Sequence, residues 1–245
     1  MSRQMFDAPP ELSIVVPALN EAAGIVGELA ALAPLRRRGA EVIVVDGGSG
    51  DATAALAAPL ADRVLAAPRG RARQMNAGAA VARGRILLFL HADTRLPEEA
   101  DRLVCAALDG IGGGRAGERI WGRFDVRIEG RSRWLPLVAA AMNLRSRLTG
   151  IATGDQALFV ARSAFNAIGG YRDIPLMEDI ALSAALRDLG RPACLTARAA
   201  TSGRRWERHG VWRTVFFMWR LRLRFFLGAD PRRLALEYGY AAHED

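Results

Sequence analysis

In the first hundred residues short apolar runs alternate with helix-forming stretches, and three of the runs end in polar clusters. Leu12 to Val16 ends at Pro17, and Asn20 is placed to cap a helix over roughly Glu21 to Arg38. Glu41 to Val45 ends at Asp46-Gly47-Gly48-Ser49-Gly50-Asp51, and a short alanine-rich helix follows. Arg63 to Ala66 is a weaker third strand, and Arg73 to Ala82 reads as a helix. Arg85 to Leu90 runs into His91-Ala92-Asp93-Thr94, followed by a helix opened by Pro97. This β-α-β-α order predicts a parallel sheet covered by helices. Right-handed crossovers bring the strand C-terminal ends, and so all three clusters, to one edge, where such sheets bind ligands. A lone acid after a strand is commonly a turn or cap residue. Three such clusters on one edge predict a site. No Gly-x-x-x-x-Gly-Lys loop occurs, which excludes a P-loop.

The second half is less regular. Trp121 to Ile128 alternates like a strand, and Ala157 to Ala161 is another. Glu178 to Leu189 predicts a helix with Leu182, Leu186 and Leu189 on one face. Gly110 to Gly117, with five glycines and Arg115, reads as a mobile loop. Val211 to Leu227 is strongly apolar but interrupted by arginines: Arg213, Arg220 and Arg224 share one helical face and Arg222 lies opposite. A core helix, a homodimer surface and a helix lying in a membrane interface all remain open for it. There is no internal repeat and no domain-separating linker. The expected organisation is a tail over 1–11, one α/β domain over 12–210 with halves 12–109 and 118–210, and a helical segment over 211–245.

The chain has 245 residues with a formal net charge of +8. That length is enough to bury a substantial core. Every basic residue is arginine. This reads either as coding bias or as arginines facing anionic ligands, since the guanidinium fork matches phosphate oxygens. Zinc-finger spacing and an RNA-binding aromatic signature are lacking, so nucleic acid is not the expected partner. Cys105 and Cys194, the only cysteines, are expected as buried thiols in a reducing compartment. The polar N-terminus resembles no signal peptide and no uncharged stretch reaches membrane-span length, so a cytoplasmic protein is expected, with contact to the inner membrane surface left open.

The runs Ile14-Val15-Val16-Pro17-Ala18-Leu19-Asn20-Glu21, Val44-Val45-Asp46-Gly47-Gly48-Ser49-Gly50-Asp51 and Leu88-Phe89-Leu90-His91-Ala92-Asp93-Thr94 resemble family-2 glycosyltransferases. Arg69-Gly70-Arg71 with Gln74, Asn76 and Gly78 is similar to that family's donor-binding stretch. The resemblance spans about Leu12 to His209. His91-Ala92-Asp93, Thr153-Gly154-Asp155-Gln156, Met177-Glu178-Asp179 and Arg204-Arg205-Trp206 are most similar to a bacterial subgroup called radical-SAM/selenodomain-associated transferase 2, or arsenosugar-biosynthesis glycosyltransferase.

The resemblance implies a GT-A, Rossmann-like fold and single-displacement, inverting transfer from a nucleoside-diphosphate sugar, a UDP-sugar first, to a small acceptor. It implies donor contacts from Pro17, Asn20, Glu21, Asp46, Gly48, Arg71, Gln74, Asn76, Ala92 and Asp93. Asp46 would hold the base or ribose, and Arg71 the base or phosphates. Asp93, with His91 beside it where the family usually has aspartate, would hold Mg2+ or Mn2+. Asp179 would be the base with Glu178 orienting it, and Asp155 is its rival. Trp121, Gly154, Gln156, Arg204, Arg205, Trp206 and His209 would face the acceptor or diphosphate. Arg123, Arg204 and Arg205 suggest an anionic acceptor or a site beside an anionic membrane. The alternatives are a nucleotidyltransferase-like enzyme and a non-catalytic nucleotide-sugar-binding protein.

Overall fold

A computed structural model describes residues 9–109 and 119–240. The glycine-rich loop expected at 110–117 and most of the 1–11 tail lie outside these residues. Strands β1 (Leu12–Ala18), β2 (Glu41–Asp46), β3 (Arg63–Ala66) and β4 (Ile86–Phe89) alternate with helices α1 (Ile25–Ala31), α2 (Ala33–Arg37), α3 (Thr53–Ala57) and α4 (Arg71–Val81). β5 (Thr94–Arg95) and α5 (Ala100–Ala107) follow, then β6 (Trp121–Glu129), α6 (Leu135–Thr149) and a 3-10 turn at Gly154–Gln156. The chain ends with β7 (Phe159–Ala161), α7 (Arg162–Ala167), α8 (Glu178–Leu189), β8 (Ala193–Ser202), α9 (Arg204–His209), α10 (Val211–Phe226) and α11 (Pro231–Tyr238).

One eight-stranded sheet runs β3-β2-β1-β4-β7-β6-β8-β5. β3, β2, β1 and β4 are mutually parallel, as the alternating pattern requires. β7 is antiparallel to both β4 and β6, and β6 and β8 are parallel again. β1 and β2 are buried along their whole length, because the sheet is covered on both faces. Leu12, Ile14 and Val16 of β1 join α1, α2 and α5 in one apolar cluster. Val15, on the other face, joins residues of α4, α7 and α8 in a second. Gly78 lets α4 sit on the strands: a Cβ there would stand 2.4 Å from Val15 Cγ1, closer than van der Waals contact permits.

Several expectations need correction. The helix expected over Glu21 to Arg38 is two shorter helices, and Asn20 caps neither. α1 starts after Gly24 with no side-chain cap, while Asn20 takes a left-handed φ of 54° and binds the β2 loop instead. Leu189 is half-exposed, whereas Leu182 and Leu186 are buried. Cys105 and Cys194 are free and only partly buried. Arg123, expected near an anionic acceptor, is fully buried. Its guanidinium binds the Asp125 carboxylate and the Asn143 carbonyl.

Candidate active site

The loops after β1 and β2 are stitched together before any ligand is considered. The Asn20 N–H donates to Ser49 Oγ (2.9 Å), and Asn20 Oδ1 accepts from the Gly50 N–H (2.8 Å). The Glu21 N–H donates to Thr53 Oγ1. Asp46 accepts from the Gly48 and Ser49 N–H groups and the Ser49 hydroxyl. Its carboxylate thus organises its own loop and lines neither chamber described below. Gln74 Nε2 reaches from α4 to the carbonyls of Ala18 and Val45 (2.9 and 2.8 Å), closing the floor. Asn76 binds the Tyr171 backbone at both N–H and C=O, tying α4 to the segment before α8.

Two chambers open at this edge. The first, about 220 Å3, is lined by Pro17, Ala18, Leu19, Glu21, Arg69, Gly70, Arg71, Gln74, His91, Ala92, Asp93, Pro175 and Tyr240. The second, about 230 Å3, holds Thr153, Gly154, Asp155, Glu178, Asp179, Thr201, Ser202, Arg205, Trp206 and Arg222, with Tyr238 from α11. Arg71, His91 and Asp93 line both and form the boundary. The first chamber draws mostly on the parallel half of the sheet, and the second on the later motifs and the C-terminal helices.

β5 and the 3-10 turn fix the boundary. Thr94 pairs with Thr201 of β8, and the Ser202 N–H donates to the Asp93 carbonyl (3.3 Å). His91 Nδ1 stands 3.6 Å from Asp155 Oδ1. Its ring fills the space where a Cβ on residue 154 would be, so any larger residue there would displace the imidazole. Burial and the Asp93 charge push the Glu21 carboxyl above its usual range, against the opposing charges of Arg204 and Arg71. Burial pushes Asp155 up, but the facing His91 and the charges of Arg71 and Arg222 outweigh it and hold that carboxyl below the usual range.

α8 begins with a strained residue. Met177 has φ 69°, a left-handed conformation that is unfavourable for an unbranched side chain and that clusters at functional sites. It turns the chain so that Glu178 and Asp179 enter the second chamber. Asp179 Oδ2 accepts from the Gly154 N–H and Oδ1 from the Ile180 N–H (2.7 Å each). Each oxygen keeps a lone pair for another donor. Glu178 is buried, and burial together with the Asp179 charge pushes its carboxyl up to about 7, with Arg71 opposing.

That shift has a stability consequence. A carboxyl raised from 4.5 to about 7 in the folded protein contributes stability that is complete below pH 4.5 and lost as pH rises through 7. Glu178→Gln is therefore expected to match the parent near pH 4.5 and to be the more stable of the two above pH 8, by on the order of 3 kcal/mol. Thermal unfolding across that range checks this. A Gln variant less stable at every pH would show that the carboxylate is instead held by compensating bonds.

The expected site residues divide. Arg205 enters the second chamber, its Cζ 3.7 Å from the Tyr238 ring centroid, and Trp206 lines it too. Arg204 turns the other way, into a groove with Glu21, Asp93 and Arg95. His209 lines neither chamber but a groove with Arg208 and Arg213 that adjoins the second chamber at Arg205, Thr214 and Tyr238. Trp121 is fully buried, its indole N–H bonded to the Gly190 carbonyl, and cannot face an acceptor. Gln156 is also buried, its Oε1 accepting from the Thr153 N–H (3.3 Å) to hold the 3-10 turn. Sequence reasoning missed Tyr238 and Tyr240, and it noticed Arg222 only as the arginine facing away from the others on α10.

Sheet order, the double helix cover and a cleft at the strand C-terminal edge define an α/β fold of the GT-A type. Residues 13–166 match Glycosyl transferase family 2, and the chain belongs to that family. Over 171 residues it is 34% identical to the PGL/p-HBAD biosynthesis glycosyltransferases of Mycobacterium tuberculosis and Mycobacterium bovis, covering 67% of this chain and 64% of theirs. The chain thus spans about two thirds of the length of these curated relatives. TarS of S. aureus, as a fragment in complex with UDP, superposes with a TM-score of 0.61 at 19% identity, covering 78% of this chain and 60% of that one. The mannosyltransferase PcManGT from Pyrobaculum calidifontis, in complex with GDP-Man and Mn2+, gives 0.58 at 19% identity over 94% of this chain and 68% of its own. At these identities the likeness is one of fold.

Proposed function

We propose that this family-2 glycosyltransferase moves a sugar from a nucleoside-diphosphate sugar, a UDP-sugar first, to a small acceptor by inverting single displacement. The observation that carries the reading is the meeting of the two chambers at Arg71, His91 and Asp93, which gives donor and acceptor separate rooms with one shared wall. The UDP and GDP-Man complexes of the structural relatives support the donor class. In this reading residues 12–109 furnish the donor half, 118–210 the acceptor half, and the helical segment 211–240 closes the second chamber. The His91-Ala92-Asp93 and Met177-Glu178-Asp179 motifs support membership in the radical-SAM/arsenosugar-associated subgroup.

Asp93, with His91 beside it, would hold Mg2+ or Mn2+. No three His, Cys, Asp or Glu side chains among the described residues form a closed metal cage. The Glu21 carboxyl, raised by burial and then by the Asp93 charge, nevertheless suits a hard cation that takes its other ligands from a diphosphate. When bound, the ion supplies Lewis-acid stabilisation of the departing diphosphate. Arg71 reaches both chambers and offers charge to the leaving group. Asp179 takes the proton of the acceptor hydroxyl as its oxygen bonds to the anomeric carbon and the diphosphate leaves with the electron pair of the broken C–O bond. Glu178, beside it in the second chamber, orients Asp179 or the acceptor.

Nucleoside diphosphates are expected to raise the melting temperature much more with Mn2+ than with EDTA. A tenfold affinity difference removes roughly 1.4 kcal/mol of ligand stabilisation at saturation. Asp93→Asn should keep the fold and lose the metal response. Equal shifts with Mn2+ and EDTA would sink the metal assignment.

The acceptor side includes an exposed apolar face. Leu137, Leu144 and Leu148 of α6 and Trp212, Phe216, Trp219 and Leu223 of α10 are all strongly exposed. Trp134, just before α6, meets Trp212 with ring centroids 5.4 Å apart, joining the two stripes. No helix among the described residues is long and apolar enough to cross a membrane. We assign this face to the surface of an anionic membrane, where aromatic side chains insert and arginines gain roughly 1 kcal/mol each. Salt-sensitive sedimentation with anionic vesicles is expected, and it should be lost when Trp212, Phe216 and Trp219 become serine. A concentration-dependent dimer that ignores vesicles would assign the face to a second copy of the chain.

A further inference from the structure

Arg222 on α10 and Arg145 on α6 take no part in the mechanism above, and both carry buried guanidinium nitrogens without a partner. Arg222 lines the second chamber with Asp155 and Asp179. It forms no ion pair with either, although their charges reach it. Its Nε is buried and has no hydrogen-bond partner among the described residues, and the same holds for Nε and Nη2 of Arg145. The charges of Arg145 and Arg222 repel one another: burial first, and then Arg222, pull the Arg145 guanidinium down to about 10. The Asp179 charge opposes that fall, and the charge of the buried Arg123 adds to it.

Buried donors in folded proteins almost always find partners, and each exception calls for an explanation. Here three guanidinium nitrogens on two mutually repelling side chains lack a partner, and one of those side chains, Arg222, lines the second chamber. A structural pair would be expected to carry a carboxylate between them, as Arg123 and Arg147 do on Asp125. Planar guanidinium groups offer paired donors that match carboxylate and phosphate oxygens. The deficit is thus one anionic group, at the chamber where Asp179 takes the acceptor proton.

We infer that Arg145 and Arg222 seat an anionic group of the acceptor, a phosphate or carboxylate placed so that the neighbouring hydroxyl meets Asp179. The inference rests on the glycosyl-transfer reading of the two chambers. It goes further by giving the acceptor a charge and that charge an address. Because an unfilled pair of buried cations opposes folding, the arrangement also trades stability for binding.

The probe is inorganic phosphate, titrated by calorimetry into the full chain with UDP and Mg2+ saturating the first chamber, and again without them. The expected result is saturable phosphate binding that weakens at least tenfold in both Arg222→Gln and Arg145→Gln, with UDP affinity unchanged within about twofold. Arg145→Met should melt higher than the parent, since it removes an unpartnered charge. A residue serving only the fold would melt lower. Phosphate titrated as vesicles of phosphatidylcholine with phosphatidic acid tells a lipid source from a free one: arginine-dependent binding in either form supports the inference. Phosphate binding that is absent, or equal in parent and variants, overturns it. A parent that binds phosphate through these arginines but never binds a nucleoside diphosphate would leave the anion seat standing and overturn the donor reading instead.

Discussion

Asp179→Asn is expected to lower glycosyl transfer by about 10²–10⁴-fold while leaving donor affinity nearly intact, because a general base acts in the chemical step and not in donor binding. The geometry makes the test specific. Asp179 lines the second chamber and not the first. Its two oxygens are fixed by the Gly154 and Ile180 N–H groups at 2.7 Å, so the carboxylate is aimed before an acceptor arrives. An amide there keeps the shape but loses the capacity to take a proton. Asp155 is the control. It faces His91 at 3.6 Å at the chamber boundary, and its carboxyl is held below the usual range. Asp155→Asn should therefore disturb donor affinity as well as turnover. Near-normal transfer by Asp179→Asn with abolished transfer by Asp155→Asn would reverse the two roles.

Asp125→Ala is expected to destabilise the protein by about 3–5 kcal/mol, the cost of stranding a buried charge by removing its partner. Arg123 is fully buried on β6, and Asp125 is its counter-ion. Arg147 on α6 binds the same carboxylate at 2.8 Å, and Asn143 accepts from the Val126 N–H and donates to the Val126 carbonyl. This network ties α6 to the sheet, and α6 carries Arg145. For a chain of this size the loss corresponds to a fall in Tm on the order of 6–20 °C. Replacing Arg123 by methionine as well should recover most of it, because the unpaired charge is then gone. If Asp125→Ala alone melts within about 2 °C of the parent, the buried pair is not what holds α6 in place.

The central parallel strands were legible because burial on both faces demands continuous apolar runs: β1, β2 and β4 fall within two residues of where the sequence put them, and the edge strand β3 and the helix α8 match it as well. The strand-end clusters converge for the same reason. α6 was not legible, since its outward face bears Leu137, Leu144 and Leu148 and blurs the helical period. β8 reads Ala-Cys-Leu-Thr-Ala-Arg-Ala-Ala-Thr-Ser, small and polar residues of weak β propensity, and it is set by pairing with β6 and β5. Motif position alone could not tell Trp121, Arg123 and Gln156, which are buried structural residues, from Arg205, which enters the chamber. That distinction depends on which way a strand or turn faces, and a single register step reverses it. Tyr238, Tyr240 and Arg145 carried no local signal, because their relation to the cleft arises from the packing of α6, α10 and α11.

Sugar transfer is assigned to the two chambers joined at Asp93. Release of nucleoside diphosphate from a panel of nucleotide sugars, with Mn2+ and a metabolite extract as acceptor source, tests it most directly. The expected result is release from at least one nucleotide sugar by the parent protein, abolished by Asp93→Asn and strongly reduced by Asp179→Asn. If a nucleotide binds the first chamber in the presence of Mn2+ but no nucleotide sugar loses its diphosphate, or the two variants release it as fast as the parent, the chambers bind without catalysing transfer and the account is wrong.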